Sequence, residues 1–319
     1  MTTASAILRT HGHDAAALTR RITALSVATA TLLTAIKAAG WLAGGSVALL
    51  ASLADSGLDL VASLITFYAV RYAAAPPDAE HRFGHGKAEA FSSLVQAGLV
   101  FASGALVGRE AVMRLIAPQP VAHSLWGVGV MAVSIVLTGG LIYAQSRVLR
   151  QTQSVAVQGD RAHYASDLAS NAAALIGLGL VSLTGWAPAD AIAGLIVTAI
   201  LLWSAVGVFR QASNQLMDHE LPPGDRARIV DLMTQDKRLT DVHQLRTRAS
   251  GPYVHMQMHV DLDPELSLEA AHHVLVEAER RVLEEYPSAD IIIHADPRGR
   301  AEPHGGAFAE VYHEVEGAP

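Results

Sequence analysis

Six stretches of the 319-residue chain are each about 20 residues or longer and predominantly apolar. An α-helix needs that length to cross about 30 Å of hydrocarbon at about 1.5 Å per residue. The stretches lie at 22–42, 46–71, 88–113, 124–146, 156–184 and 188–209. As buried helices of a water-soluble core, six such lengths with short connections would leave too little polar surface to cover them. Composition agrees, since 51% of residues are hydrophobic and only 17% are charged. The expected class is therefore membrane α-helical, multi-pass and in contact with lipid. An even number of spans puts both termini on one side. Arg20, Arg21, Arg71, Arg82, Lys87, Arg147, Arg150 and Arg210 flank that side, against Arg109 and Arg114 near the other. The excess of positive charge predicts that both termini are cytoplasmic. Residues 1–19 are small and polar without the apolar centre of a secretory signal, so the first apolar run is expected to stay as an anchor.

After Arg210 the texture changes. Leu221-Pro222-Pro223 punctuates the junction, 224–236 reads as a helix and 242–249 as a strand. In 253–262, Val254, Met256, Met258, Val260 and Leu262 alternate with Tyr253, His255, Gln257, His259 and Asp261, one apolar face and one polar. A helix over 266–285 and a strand through Ile291-Ile292-Ile293 complete an αββαβ order, which predicts a small two-layer α+β domain. The chain thus divides into an N-terminal tail (1–19), a six-helix transmembrane domain (20–212), a C-terminal domain (213–297) and a Gly-, Glu- and Pro-rich tail (298–319) expected to be disordered. The formal charge of −7 comes largely from the C-terminal third and excludes a nucleic-acid partner.

Ionisable side chains inside a bilayer cost at least a few kcal/mol each, so they mark an ion pathway or a buried pair. Asp55 and Asp59 are four apart in the second span, and His163 and Asp167 are four apart in the fifth. Each spacing places both groups on one helix face about one turn apart. If the two faces meet, three carboxylates and one imidazole surround a point. Four N and O ligands suit Zn²⁺, whereas Mg²⁺ or Ca²⁺ prefer six or more oxygens. With no cysteine in the chain, histidine nitrogen and carboxylate oxygen are the ligands on offer. A second group, Asp78, His81 and His85, follows the second span, where Gly84 and Gly86 permit a tight turn. It reads either as converging ligands or as solvated loop residues. His243, His259, His272, His294 and Asp296 fall on strand ends and one helix of the C-terminal domain, and read as an exposed metal cluster, a subunit contact or ordinary surface residues. His11, His13, His304 and His313 read as solvated.

The chain resembles the cation diffusion facilitator family, in its bacterial zinc and ferrous-iron efflux branch. Five stretches carry the resemblance: Ser52-Leu53-Ala54-Asp55-Ser56-Gly57-Leu58-Asp59, His81-Arg82-Phe83-Gly84-His85-Gly86-Lys87-Ala88-Glu89, His163-Tyr164-Ala165-Ser166-Asp167, Leu245-Arg246-Thr247-Arg248-Ala249-Ser250-Gly251 and Ile292-Ile293-His294-Ala295-Asp296-Pro297. It implies a homodimeric divalent metal cation/proton antiporter, not an enzyme, that exports Zn²⁺, with Cd²⁺ and Fe²⁺ as alternatives. It implies a transport site of Asp55, Asp59, His163 and Asp167 in each protomer and a loop site of Asp78, His81 and His85. The cytoplasmic C-terminal domain, metallochaperone-like in form, would bind structural Zn²⁺ and join the dimer through His243, His259, His272 and His294, with Asp296 bridging and one ligand crossing from the partner. Lys87 and Asp218 would form a structural ion pair. Two departures stand out. Ala162, preceded by Arg161, replaces a large aliphatic residue before the site histidine, and His272 is followed by His273, so either could ligate. Two other classes fit less well. An intramembrane metallohydrolase lacks H-E-x-x-H here, and four protein ligands leave no position for a water nucleophile. A metal-sensing scaffold needs no carboxylate pairs in its anchor.

Overall fold

The computed structural model describes residues 12–44, 47–117, 125–186 and 188–299. The expectations for residues 1–11, including His11, and for 300–319, including His304 and His313, lie outside the described residues. Two compact units divide at Met217/Asp218.

Among the described residues the first unit holds six long helices: α1 (Gly12–Gly44), α2 (Val47–Ala73), α3 (Ala88–Ile116), α4 (Leu125–Thr152), α5 (Val155–Thr184) and α6 (Pro188–Leu216). All six are long and apolar enough to span a bilayer, and each extends beyond the apolar run that signals it. Their polarity is inverted relative to a water-soluble bundle. Leu58, Tyr68, Phe91 and Trp203 are exposed, while Ser56, Ser63, Thr66, Ser92, Gln96, Gln145, Asp160 and His163 are buried. Lipid can cover the first set but cannot hydrogen-bond the second, so polar side chains collect inside. Other hydroxyls bond back to their own helix, as Thr23 does to the Thr19 carbonyl and Ser134 to that of Val130.

Helices α3 and α6 approach through small residues. A methyl group added at Gly108 would lie 2.8 Å from Thr198 Cγ2, and one at Gly194 would lie 3.0 Å from Ala111 Cβ. Close approach through glycine and alanine is how apolar helices gain contact when lipid removes the hydrophobic drive. Arg114 donates to Asp190 Oδ2 at 2.7 Å and to Glu110 Oε1 at 3.0 Å, tying the same two helices together at their other ionisable point. Helix α5 begins with Ser154 accepting from the Val157 N–H, and it ends at Gly185 in the left-handed region (φ +70°), which glycine enters without strain.

The second unit contains α7 (Pro223–Met233), β1 (Val242–Ser250), β2 (Tyr253–Leu262), α8 (Leu268–Glu285) and β3 (Ala289–Pro297), the expected αββαβ order. The sheet runs β1-β2-β3, with β1 antiparallel and β3 parallel to β2. Val254, Met256, Met258, Val260 and Leu262 are buried as the alternation requires, against Ile229 and Met233 of α7 and Val274, Ala278 and Val282 of α8. One irregularity positions the polar face. Between His243 and Arg246 the ladder slips by one residue, with Gln244 at φ +49°. Without that bulge Gln244 would stand opposite His259; with it, His243 does.

The glycine packing predicts an asymmetry within α5. A methyl group at Gly177 would lie 2.7 Å from the Asp190 Cα, whereas Gly179 has open space around it. Gly177→Ala is expected to cost about 1–3 kcal/mol, and Gly179→Ala to be neutral or stabilising, since alanine favours a helix over glycine. Thermal unfolding of the purified protein in detergent measures both; equal midpoints for the two variants would contradict the close approach.

Candidate metal centres

The membrane unit brings Asp59 of α2 together with His163 and Asp167 of α5. One ligand atom from each lies within 4.8 Å of the others. His163 Nε2 is 3.1 Å from Asp59 Oδ1 and 3.8 Å from Asp167 Oδ2. A Zn²⁺ ion with N and O ligands about 2.0–2.2 Å away requires ligand atoms separated by about 3.3–3.6 Å, a spacing that these distances bracket. Among the described residues, His163 Nδ1 and Asp167 Oδ2 are buried without a hydrogen-bond partner. Such atoms are costly in an apolar interior, and Gln96 Oε1, Gln145 Oε1 and Ser166 Oγ nearby are in the same state. Asp55, one turn before Asp59, is exposed and stands outside the trio.

Beneath His163 lies a polar network that the sequence reading did not anticipate. Asp160, one turn earlier on α5 and fully buried, accepts from Gln145 Nε2 of α4 at 2.8 Å and from Gln96 Nε2 of α3 at 3.5 Å. Gln96 also donates to Thr66 Oγ1 of α2, and Gln145 to Ser26 Oγ of α1. Tyr164 OH is 2.7 Å from Ser63 Oγ and donates to the Ser26 carbonyl at 3.3 Å. Five helices therefore share one hydrogen-bonded layer beside the trio. Asp160 could have been found as a third ionisable residue in the fifth apolar run, in register with His163. On α1, Lys37 donates from Nζ to Ser56 Oγ of α2. It too was visible as a charge within an apolar run.

In the loop between α2 and α3, Asp78, His81 and His85 also converge. Asp78 Oδ1 accepts from the backbone N–H groups of Glu80 (2.9 Å) and His81 (2.7 Å), a local turn that fixes its carboxylate. The His81 N–H bond, reinforced by that of Glu80, holds the Asp78 carboxyl below its ordinary value. Gly84, at φ +77°, returns its N–H to the His81 carbonyl at 2.9 Å, and His85 Nε2 comes within 3.2 Å of Asp78 Oδ2.

In the C-terminal unit the bulge and the parallel pairing put His243, His259 and His294 directly opposite one another on three strands. Asp296, two residues beyond His294, sits among them: its Oδ2 is 2.9 Å from His259 Nδ1 and 3.3 Å from His243 Nε2, and its Oδ1 is 3.4 Å from His294 Nε2. Among the described residues His243 Nδ1 is buried without a hydrogen-bond partner. Three imidazoles and a carboxylate are a donor set suited to Zn²⁺. His272 and His273 are both exposed on α8, outside this group. Lys87 Nζ donates to the Leu216 carbonyl at 3.1 Å, and Asp218 Oδ2 accepts from Arg248 at 3.0 Å.

Comparison with known proteins gives a consistent picture. The family profile described as the cation efflux transmembrane domain matches residues 23–217, and that described as the cation efflux protein, cytoplasmic domain, matches 221–298. The cation-efflux pump FieF of Salmonella choleraesuis (strain SC-B67) is 39% identical over 280 residues, covering 88% of this chain and 93% of that protein. FieF of Salmonella typhi is 41% identical over 276 residues, covering 86% and 91%. Among solved structures, the zinc form of CzrB, described as a zinc transporter, is 30% identical, covers 27% of this chain and 98% of that one, and has a TM-score of 0.25.

The Asp296 environment yields a prediction about the metal-free protein. Burial opposes ionisation of Asp296, but the His259 hydrogen bond and the nearby His259, His294 and His243 charges outweigh it and hold the carboxyl below its ordinary 3.8. A lowered native value stabilises the fold above the unfolded value and loses that contribution as pH falls through the native one. With chelator present, Asp296→Asn should unfold at a lower temperature than wild type at pH 7, and the gap should close below about pH 3.8. A gap constant from pH 7 to pH 3 would show that the ionised carboxylate contributes nothing.

Proposed function

We propose, from the premise that this chain belongs to the cation diffusion facilitator family and is a multi-pass membrane protein of cation efflux, that its cargo is Zn²⁺ and that it exchanges that cargo for protons. The observation that carries this reading is the meeting of Asp59, His163 and Asp167 inside the membrane unit, with a ligand spacing matched to a small N,O-coordinated cation. The imidazole favours Zn²⁺, Cd²⁺ or Fe²⁺ over Mg²⁺ and Ca²⁺. Asp55, one turn before Asp59 on α2, supplies the fourth ligand once the metal draws α2 and α5 together.

The cycle is alternating access. The site takes metal from the cytoplasm, the helices reorient, and protons arriving at His163 and the carboxylates release the metal on the other side of the inner membrane. Metal and proton compete because binding needs neutral imidazole and ionised carboxylate. Both termini are cytoplasmic on this reading. The C-terminal domain is a dimer clamp: His243, His259, His294 and Asp296 hold structural metal, His272 or His273 completes a cluster across the homodimer, and bound metal biases the membrane unit toward transport. Asp78, His81 and His85 hold metal near the cytoplasmic mouth, and Lys87 paired with Asp218 pins the dimer at the membrane-cytosol junction. The relatives named FieF and CzrB are described as a cation-efflux pump and a zinc transporter, which supports the cargo class.

In proteoliposomes an inward proton gradient should accelerate zinc export, and zinc flux indifferent to the gradient would contradict antiport. Asp59→Ala and Asp167→Ala should each cut flux by at least about 100-fold, the upper end of what losing an outer-sphere partner costs, because each removes a direct ligand. Flux at the wild-type rate would remove that residue from the site. Imidazole titrates near 6.5, so apparent zinc affinity should fall as pH drops from 7.5 to 5.5. Residual flux in His163→Ala should lose most of that dependence. Equal pH profiles for His163→Ala and wild type would place the coupling proton elsewhere.

A further inference from the structure

Lys37 lies seven residues before the end of α1, inside a membrane span, in the outer half of the bundle as counted from the two termini of the chain. A lysine at such a depth ordinarily extends its ammonium toward an interface. Here the ammonium turns inward. Its Nζ donates to Ser56 Oγ of α2, and Ser56 is buried. Thr34, three residues earlier on α1, donates to the Ser56 carbonyl at 3.1 Å, so α1 is fastened to α2 twice at one residue. Ser56 adjoins Asp55 and precedes Asp59 by three positions on the same helix.

Charge balance gives this placement a consequence. With Asp55, Asp59 and Asp167 ionised the groups read as ligands carry three negative charges, one more than a divalent ion cancels, while Asp160 lies outside this set, held by Gln96 and Gln145. Transferring residual charge through a low-dielectric occluded state is expensive. A fixed ammonium tethered to Ser56, the residue after Asp55, leaves two negative charges on this ligand set, which one divalent cation cancels. We propose that Lys37 is the built-in counter-charge of the transport site: tethered at Ser56, it neutralises one carboxylate equivalent, weakens metal binding by repulsion, and makes the loaded site electrically neutral so that it can reorient. Lys37 is a positioning residue rather than a ligand, and the inference rests on reading Asp59, His163 and Asp167 as the transport site.

The test is zinc flux by the full-length protein in proteoliposomes, with KM and kcat separated and membrane potential clamped by potassium and valinomycin. Lys37→Gln can keep a hydrogen bond to Ser56 while losing the charge. Removing a positive charge about one helical turn away should lower KM by on the order of tenfold and lower kcat by a similar factor. It should also make flux respond to potential by about one elementary charge more than wild type, a change that loss of packing alone would not produce. Lys37→Arg should restore KM, kcat and potential dependence. If Lys37→Gln elutes as aggregate, Lys37→Met provides the same comparison with a side chain suited to the membrane. KM and potential dependence unmoved in the neutral variants, or unrescued by arginine, would overturn the counter-charge role. Asp59→Ala in the same assay separates the two levels. Flux persisting in that variant overturns the site reading itself, whereas flux lost there, with KM unmoved in Lys37→Gln, overturns Lys37 alone.

Discussion

Inside a bilayer no water is available to satisfy a polar group, so every buried donor and acceptor must find its partner within the protein. The membrane unit is organised by that constraint. Gln96, Gln145, Asp160 and Tyr164 form one hydrogen-bonded layer that joins five helices, and hydroxyls such as those of Thr23 and Ser134 bond to their own helix backbones. Within this interior His163 Nε2 faces the carboxylates of Asp59 and Asp167, and Asp167 Oδ2 is buried without a hydrogen-bond partner among the described residues. A cation held by these three groups would satisfy that oxygen.

The same logic relates the three metal centres to their local backbones. In the membrane, two helices supply ligands at one-turn spacing, and rigid rods can be reoriented without disturbing the pairs. In the loop, an aspartate turn and the left-handed Gly84 hold the carboxylate against two imidazoles. In the C-terminal unit, cross-strand registry does the work, placing three histidines in one row around Asp296. His243, His259 and His294 are fixed by strand pairing, whereas Asp78, His81 and His85 lie on a loop held by local turns.

Much of this was legible in the sequence because two periodicities carry it. Apolar length marked all six spans, and strict alternation in 253–262 marked the buried face of β2 from Val254 to Leu262. The i,i+4 spacing of His163 and Asp167 placed both at the trio. Three features were not legible. The β-bulge at Gln244 has no sequence signal of its own, yet it decides that His243 stands opposite His259. Asp160 and Lys37 were visible as charges, but only the packing of α1, α2, α4 and α5 shows that one is enclosed in a hydrogen-bonded layer and the other is turned toward the site. Asp55 shares its helix face with Asp59 by spacing, and the structure leaves it one turn outside the trio, because spacing fixes a direction on one helix and not the distance to another.

The central claim is that Asp59, His163 and Asp167 coordinate the cargo ion. X-ray absorption at the zinc K-edge tests it most directly, on a background in which His81, His85, His259 and Asp296 are replaced by alanine so that the remaining zinc reports the membrane site. The expected spectrum shows about four N and O neighbours at about 2.0–2.1 Å with the multiple scattering of one imidazole, and His163→Ala in that background should remove the imidazole signal. An imidazole signal unchanged by His163→Ala, or zinc surrounded by six oxygens alone, would contradict the claim.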